Sequence, residues 1–339
     1  MRLIRTWPVC LVFMTACLLA CTTKLASIDG AAPVASSSTV VSDSGTLSVI
    51  LDAARPASAT SPCPNDMAHV DVNFCSKVER ECLDLEHEEP NHLKICHRFK
   101  GGSTKCVGTE ERRQFCIDKY EYPNQAGGHP VWNATWFQAQ ATCNSKGKRL
   151  CWATEWTAAC EGPEHLPFPY GWERNHDTCN IDNYFVDPRK AEGGFLFSAR
   201  DKVVQFKELS RLDQSVPSGS MQGCKSGFGV HDMTGNFDEW VVSDQKPEHK
   251  SKWAGLKGGA WGHVRNACRP MSFSHTPDEW YYFWSFRCCK DVEGGPIWQP
   301  PPGNMPAPSV DPHDYFPEAI VPTNAPGPSR TKVGRTPAR

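Results

Sequence analysis

Apolar and polar positions along the 339-residue chain fall into five stretches of different character. The first carries Arg2 and Arg5 and then an apolar run from Val9 to Ala20. That run is shorter than the ~20 residues a membrane-spanning helix needs, and its charged-then-apolar order predicts a signal peptide over residues 1–20. Residues 21–62 are dominated by Ala, Ser, Thr and Val with no periodic apolar face, so they read as a flexible tether. Residues 292–339 hold 12 of the 28 prolines, including Pro300-Pro301-Pro302. Proline lacks the amide donor that regular ladders need, so this stretch reads as an extended or disordered tail. Between tether and tail lie a Cys-rich segment, 63–110, and a longer one, 111–291. Ten of the twelve tryptophans fall between Trp132 and Trp284, and the core is expected there.

Within the longer segment the pattern predicts particular elements. Thr135-Trp136-Phe137-Gln138 has the Thr-x-x-Gln form of a capping box, and helix-compatible residues run from it to Gly147, a natural stop. A second helix is predicted from Thr154 to Glu161, ending at Gly162, with Trp156 and Cys160 four apart on one face. Cys143 and Cys160 then point inward. The alternation Tyr282, Trp284, Phe286, Cys288 predicts a strand with one buried face and Arg287 and Cys289 on the other. Adjacent Cys288 and Cys289 must therefore find different partners.

Composition narrows the function. Lys plus Arg number 36 against 38 Asp plus Glu, and the formal charge of −2 gives no basic stripe for nucleic acid. Seventeen cysteines, none in Cys-x2-Cys or Cys-x4-Cys spacing, point to an oxidising compartment rather than to zinc. Fifteen of them lie from Cys21 onward. If Cys21 is modified, fourteen remain, enough for seven disulfides. His92, Cys96 and His97 would face one metal only if helical; bridged cysteines beside solvent-facing histidines explain them as well. No phosphate loop, His-Glu-x-x-His zinc helix or Gly-x-Ser-x-Gly elbow is present.

Leu18-Leu19-Ala20-Cys21 resembles the lipobox of bacterial lipoproteins, which implies a diacylglyceryl anchor on Cys21 and display in the bacterial cell envelope, facing the periplasm or the outside. Further on, VWNATWFQAQATC, GKRLCWATEW, PFPYGW, FGVHDMTGNFDEW, LKGGAW and FRCC follow one another in an order that resembles the formylglycine-generating enzyme family, also called sulfatase-modifying factor domains. The resemblance covers about residues 115–290. It implies an α+β, C-type-lectin-like fold, poor in regular secondary structure and here disulfide-rich, with calcium as a structural ion. It also implies the bridges Cys143–Cys288 and Cys160–Cys268.

Calcium takes about six to eight oxygens. The resemblance implies a first site from the side chain of Asp232, the carbonyls of Gly235 and Phe237, and the carboxylate of Glu239. It implies a second from Asn180, the carbonyl of Ile181 and Asp213. The family's chemistry oxidises a substrate cysteine at a copper(I) site made by two cysteines. In GGAWGHVRNACRP, Ala260 stands in the serine position, His263 in the first cysteine position and Cys268, without gaps, in the second. With a gap, Cys268 becomes the structural cysteine bridged to Cys160. Asp238 also replaces the tryptophan that lines the family's active-site region. These departures imply a non-catalytic domain that binds glycans or extended peptides through Asp238, Trp280, Tyr281, Tyr282 and Phe283. The alternatives are an oxidase with a modified copper site at His263 and Cys268, and a rigid envelope spacer.

Overall fold

The computed structural model describes residues 61–88, 93–244, 253–262, 265–295 and 305–314. In Met67–Cys75 (β1), Ala68, Val70, Val72 and Phe74 alternate toward the core, as a strand period demands. A two-stranded ladder follows from Cys82–Glu88 (β2) and Leu93–Phe99 (β3). Strand β1 zips antiparallel along Glu110–Asp118 (β4), from the pair Met67 and Asp118 to the pair Cys75 and Glu110. The boundary expected at 110–111 is therefore not a structural one: β1 supplies an edge of the same sheet and the same core as the longer segment, and the bridge Cys63–Cys116 fastens it there.

The helix predicted after Thr135 spans Trp136–Ser145 (α1). Thr135 Oγ1 accepts the Gln138 amide and Gln138 Oε1 accepts that of Thr135, which completes the capping box. After the short strand Arg149–Leu150 (β5) comes Ala153–Glu161 (α2), closed by Gly162 at φ +67°. All nine residues of α2 are buried, so its polar members sit inside. A third helix, Lys202–Leu212 (α3), had no clean signal in the sequence, because Val203 and Phe206 on its outer side blur the amphipathic stripe.

Asp238–Val242 (β6) runs through the centre of the second sheet, antiparallel to Ala254–Lys257 (β7), which pairs in turn with Met271–Ser272 (β8). On its other side β6 is parallel to Trp284–Phe286 (β9). Cys288–Asp291 (β10) belongs to the first sheet, whose order is β1, β4, β10, β5. The single strand expected over 282–288 is thus two strands in two sheets, broken at Arg287. Both faces are buried, since Ser285, Arg287 and Cys289 are as inaccessible as Trp284 and Cys288. Within the described 305–314 of the tail, Met305 packs against the α1 cluster and Gln140 donates to the Pro306 carbonyl. An extended proline segment can lie on a helix this way without amide donors of its own.

Seven disulfides use all fourteen cysteines from Cys63 onward: 63–116, 75–106, 82–96, 143–288, 151–289, 160–268 and 179–224. Cys288 and Cys289 face opposite sides of β10 and reach Cys143 of α1 and Cys151 respectively. The signal segment, Cys21, His92 and His263 lie outside the described residues.

Candidate functional site

The turn before β6 is built around Gly235, whose φ of +83° and close packing exclude any other residue. A Cβ there would lie 2.3 Å from the Asn180 carbonyl oxygen. Asp232 and Asn236 also take left-handed conformations, which their short polar side chains tolerate. Asn236 then ties the turn together. It donates to both carboxylate oxygens of Glu121 and accepts from the Val216 amide and from Asn180 Nδ2.

The turn presents Asp232 and Glu239 to a buried electrostatic cluster. Arg287 grips Glu239 with two bonds of 2.6 Å, Nε to Oε2 and Nη2 to Oε1, and Trp156 Nε1 adds a third to Oε2. Asp232 accepts the Gly219 amide at 2.6 Å. Glu121, which the sequence did not single out, completes the cluster and accepts the Phe237 amide and the Ser218 hydroxyl. Three carboxylates so face one guanidinium. Burial, reinforced by Asp232 and Glu239, pushes Glu121 well above the usual carboxylate range, and burial pushes Asp232 up to about 6.

The donors here are oxygens, the kind calcium takes, and Oε1 of Glu239, which accepts a single bond, keeps a lone pair that a hard cation would use. Among the described residues no three His, Cys, Asp or Glu side chains converge as a ligand group, so a calcium set here must draw on carbonyls such as those of Gly235 and Phe237. At the second position Asn180 accepts from Asn183 Nδ2 and donates to the Gln214 carbonyl. Asp213 caps the end of α3 and accepts the Ser215 amide. Asn183 Oδ1 is buried there with no hydrogen-bond partner, an oxygen that a hard cation would satisfy.

Beyond this turn lies the region where the resemblance would put the reacting centre. Cys268 is bonded to Cys160 and has no exposed surface. Asp238 is likewise fully buried: Arg265 donates to it at 2.5 Å and the Gly259 amide at 3.2 Å, while burial raises its carboxyl against the pull of Arg265. Asp238 therefore cannot touch a ligand, contrary to the expectation from sequence. Tyr282 is also withdrawn, packed at 3% exposure among Phe197, Trp261 and Phe283. Trp280, Tyr281 and Phe283 are half-buried and form the accessible aromatic wall. Cys96 and His97 lie on strand β3, not on a helix. Cys96 is consumed by its bridge to Cys82 and His97 pairs with Glu86, which removes the metal reading of that segment.

The sulfatase-modifying factor enzyme 1-like domain model matches residues 86–292, more than half of the chain. The chain belongs to this family. A mouse (Mus musculus) relative, "Inactive C-alpha-formylglycine-generating enzyme 2", is 26% identical over 171 residues, covering 48% of this chain and 49% of the relative. The chain thus spans about half the length of that protein. Among solved structures, CarF aligns at a TM-score of 0.41 and 15% identity over 68% of this chain and 99% of its own. PvdO from Pseudomonas aeruginosa aligns at 0.38 and 16% over 68% and 96%. The family match begins inside β2, and β1, which precedes it, packs into the same core. The chain has the family's α+β fold, with mixed sheets, few helices and a dense disulfide set.

Proposed function

We propose that the domain is a non-catalytic, calcium-supported binding module for glycans or extended peptides, displayed on a bacterial cell envelope through a lipid on Cys21. The observation that carries the reading is the Cys160–Cys268 bridge. A soft copper(I) ion needs thiolate, and a sulfur held in a buried disulfide offers none. The Asp238–Arg265 pair closes the floor of the same region, and the mouse relative is itself described as inactive. What remains open to a ligand is the wall of Trp280, Tyr281 and Phe283, rings of the kind that stack on sugars and on extended peptides.

Calcium would cross-link the Asp232 to Glu239 turn, through Asp232, Gly235, Phe237 and Glu239, and the end of α3, through Asn180, Ile181 and Asp213. Its contribution is charge balance and rigidity. Asn236 and Gly235 hold the turn against the 180–182 loop, and that loop in turn fixes Trp261 through the Asn183 amide bond to the Trp261 carbonyl.

The test has two arms. Copper(I) titration of the intact protein, with oxygen uptake on a cysteine-containing peptide, is expected to show neither binding nor turnover. Glycan and peptide arrays are expected to give ligands that are lost in Tyr281→Ala and weakened by a calcium chelator. A titratable Cys268 thiol, or uptake abolished by Cys268→Ser, overturns the reading in favour of an oxidase. Array hits insensitive to Tyr281→Ala, or none, leave the envelope spacer.

A further inference from the structure

A cavity of about 590 Å³ opens where the end of β1 meets the start of β4 and the N-terminus of α2, on elements separate from the aromatic wall. Its volume lies in the range of ~300–1,000 Å³ usual for small-molecule sites. Phe74 forms the base, with the guanidinium carbons of Arg269 and Arg113 5.3 and 6.0 Å from its ring centre. Asp244 forms the back, and the Thr154 amide and hydroxyl both donate to it. At the rim Ser76 and Thr109 pair their hydroxyls at 3.0 Å, and Lys77 lines the same rim. The rim is held in place by the Cys75–Cys106 bridge and by Gly108, where a Cβ would come within 2.4 Å of Ser76 Oγ.

Among the described residues the charges that line this cavity do not cancel. Arg269 shares one carboxylate, Glu161, with Arg80, and Glu111 lies 3.1 Å from Arg113. Among the described residues lining it, Lys77, Arg113 and Arg269 stand against Glu111 and Asp244, and Lys77 is the cation with no ion pair. One positive charge beside two hydroxyls is a receptor for a monoanion carrying hydroxyl groups. A dianion would leave net negative charge against Asp244 and Glu111, at close range and partly out of water.

We propose that this cavity binds a small hydroxylated monocarboxylate, its carboxylate set between Lys77 and Arg113 and its hydroxyl groups meeting Ser76 and Thr109. Of the lining residues, Phe74, Ser76, Lys77 and Val78 precede the family-matched region and the other six lie within it.

Calorimetric titration of the full chain with D-glucuronate, D-glucose and glucose 6-phosphate tests this. Glucuronate is expected to bind at least about tenfold more tightly than either of the others, and Lys77→Glu to weaken it by about tenfold or more. Thr109→Val is expected to weaken it several-fold. Lys77 and Thr109 are exposed, so both variants keep the fold. Tyr281→Ala is expected to leave glucuronate binding unchanged, which separates this site from the aromatic wall. Equal affinity for glucose, tighter binding of glucose 6-phosphate, indifference to Lys77→Glu, or no glucuronate binding at all overturns the proposal.

Discussion

Arg287 and Glu239 meet in two parallel 2.6 Å bonds with neither side chain exposed, and between them they join the two sheets. Arg287 is the residue at which β9 ends and β10 begins, and it also donates to the carbonyls of Asp118 and His231. Removing one partner of a buried ion pair leaves the other uncompensated. Arg287→Met is therefore expected to destabilise by about 3–5 kcal/mol in chemical denaturation, and the double variant Arg287→Met/Glu239→Met to recover a large part of that. A double variant no more stable than the single one would refute the pair as the origin.

The Cys160–Cys268 bridge closes a 108-residue separation and pins the end of α2 to the segment before β8. Cys268→Ser should cost about 2–5 kcal/mol in unfolding experiments under oxidising conditions. Peptide mapping of non-reduced wild-type protein should return the 160–268 pair, and binding through Tyr281 should persist at temperatures where the variant is still folded.

Acid sensitivity should centre on Glu161. Its burial alone would raise the carboxyl, but His165 at 3.9 Å, the hydrogen bonds from Arg269 and the charges of Arg269 and Arg80 overcome this and hold it down to about 2. A carboxylate depressed in the folded state contributes stability that is complete above its ordinary value of 4.5 and is lost as pH falls toward 2. The loss should amount to roughly 3 kcal/mol. Unfolding free energies measured from pH 5 to pH 2 should show that slope, and Glu161→Gln should flatten it while lowering stability at pH 5.

Lys257 has the opposite character. It is buried beneath Trp156 with, among the described residues, the Arg269 and Pro270 carbonyls as acceptors, and desolvation, aided by Arg269, brings it down to about 7 in spite of Glu161. Between pH 7 and its ordinary 10.5 the unfolded chain binds a proton that the folded protein does not, so stability should climb over that window. Lys257→Met should abolish the climb and stabilise at pH 7 by roughly 1–4 kcal/mol, as replacement of a buried charge by an apolar side chain often does. Melting curves from pH 7 to 10 check both statements.

If calcium supports the fold, chelation should lower Tm by several degrees, and Asp213→Asn and Asp232→Asn should each remove part of the response. Equal melting with and without chelator would dispose of the ion.

Local signals were the readable part of this sequence. Thr135 and Gln138 announced α1, and Gly162 marked the end of α2, because caps and stops depend on neighbours along the chain. The pairing of β1 with β4 joins residues 35 to 51 apart through a segment whose cysteines look like a module of their own, and nothing local marks it. Asp238 read as a ligand group because an exposed and a buried carboxylate look alike in sequence; only Arg265, 27 residues away, decides between them. Glu121 escaped notice for the same reason, since its partners Asn236, Ser218 and Phe237 all lie about a hundred residues downstream.

Cys143 and Cys151 find their partners 145 and 138 residues later, at Cys288 and Cys289, near the end of the ordered domain. A chain emerging from a ribosome or a translocon must carry these two thiols unclaimed past four other cysteines, Cys160, Cys179, Cys224 and Cys268, before the correct sulfurs arrive. Productive maturation thus favours a compartment with a thiol isomerase over simple air oxidation, and recombinant yield should follow that supply more than temperature or inducer.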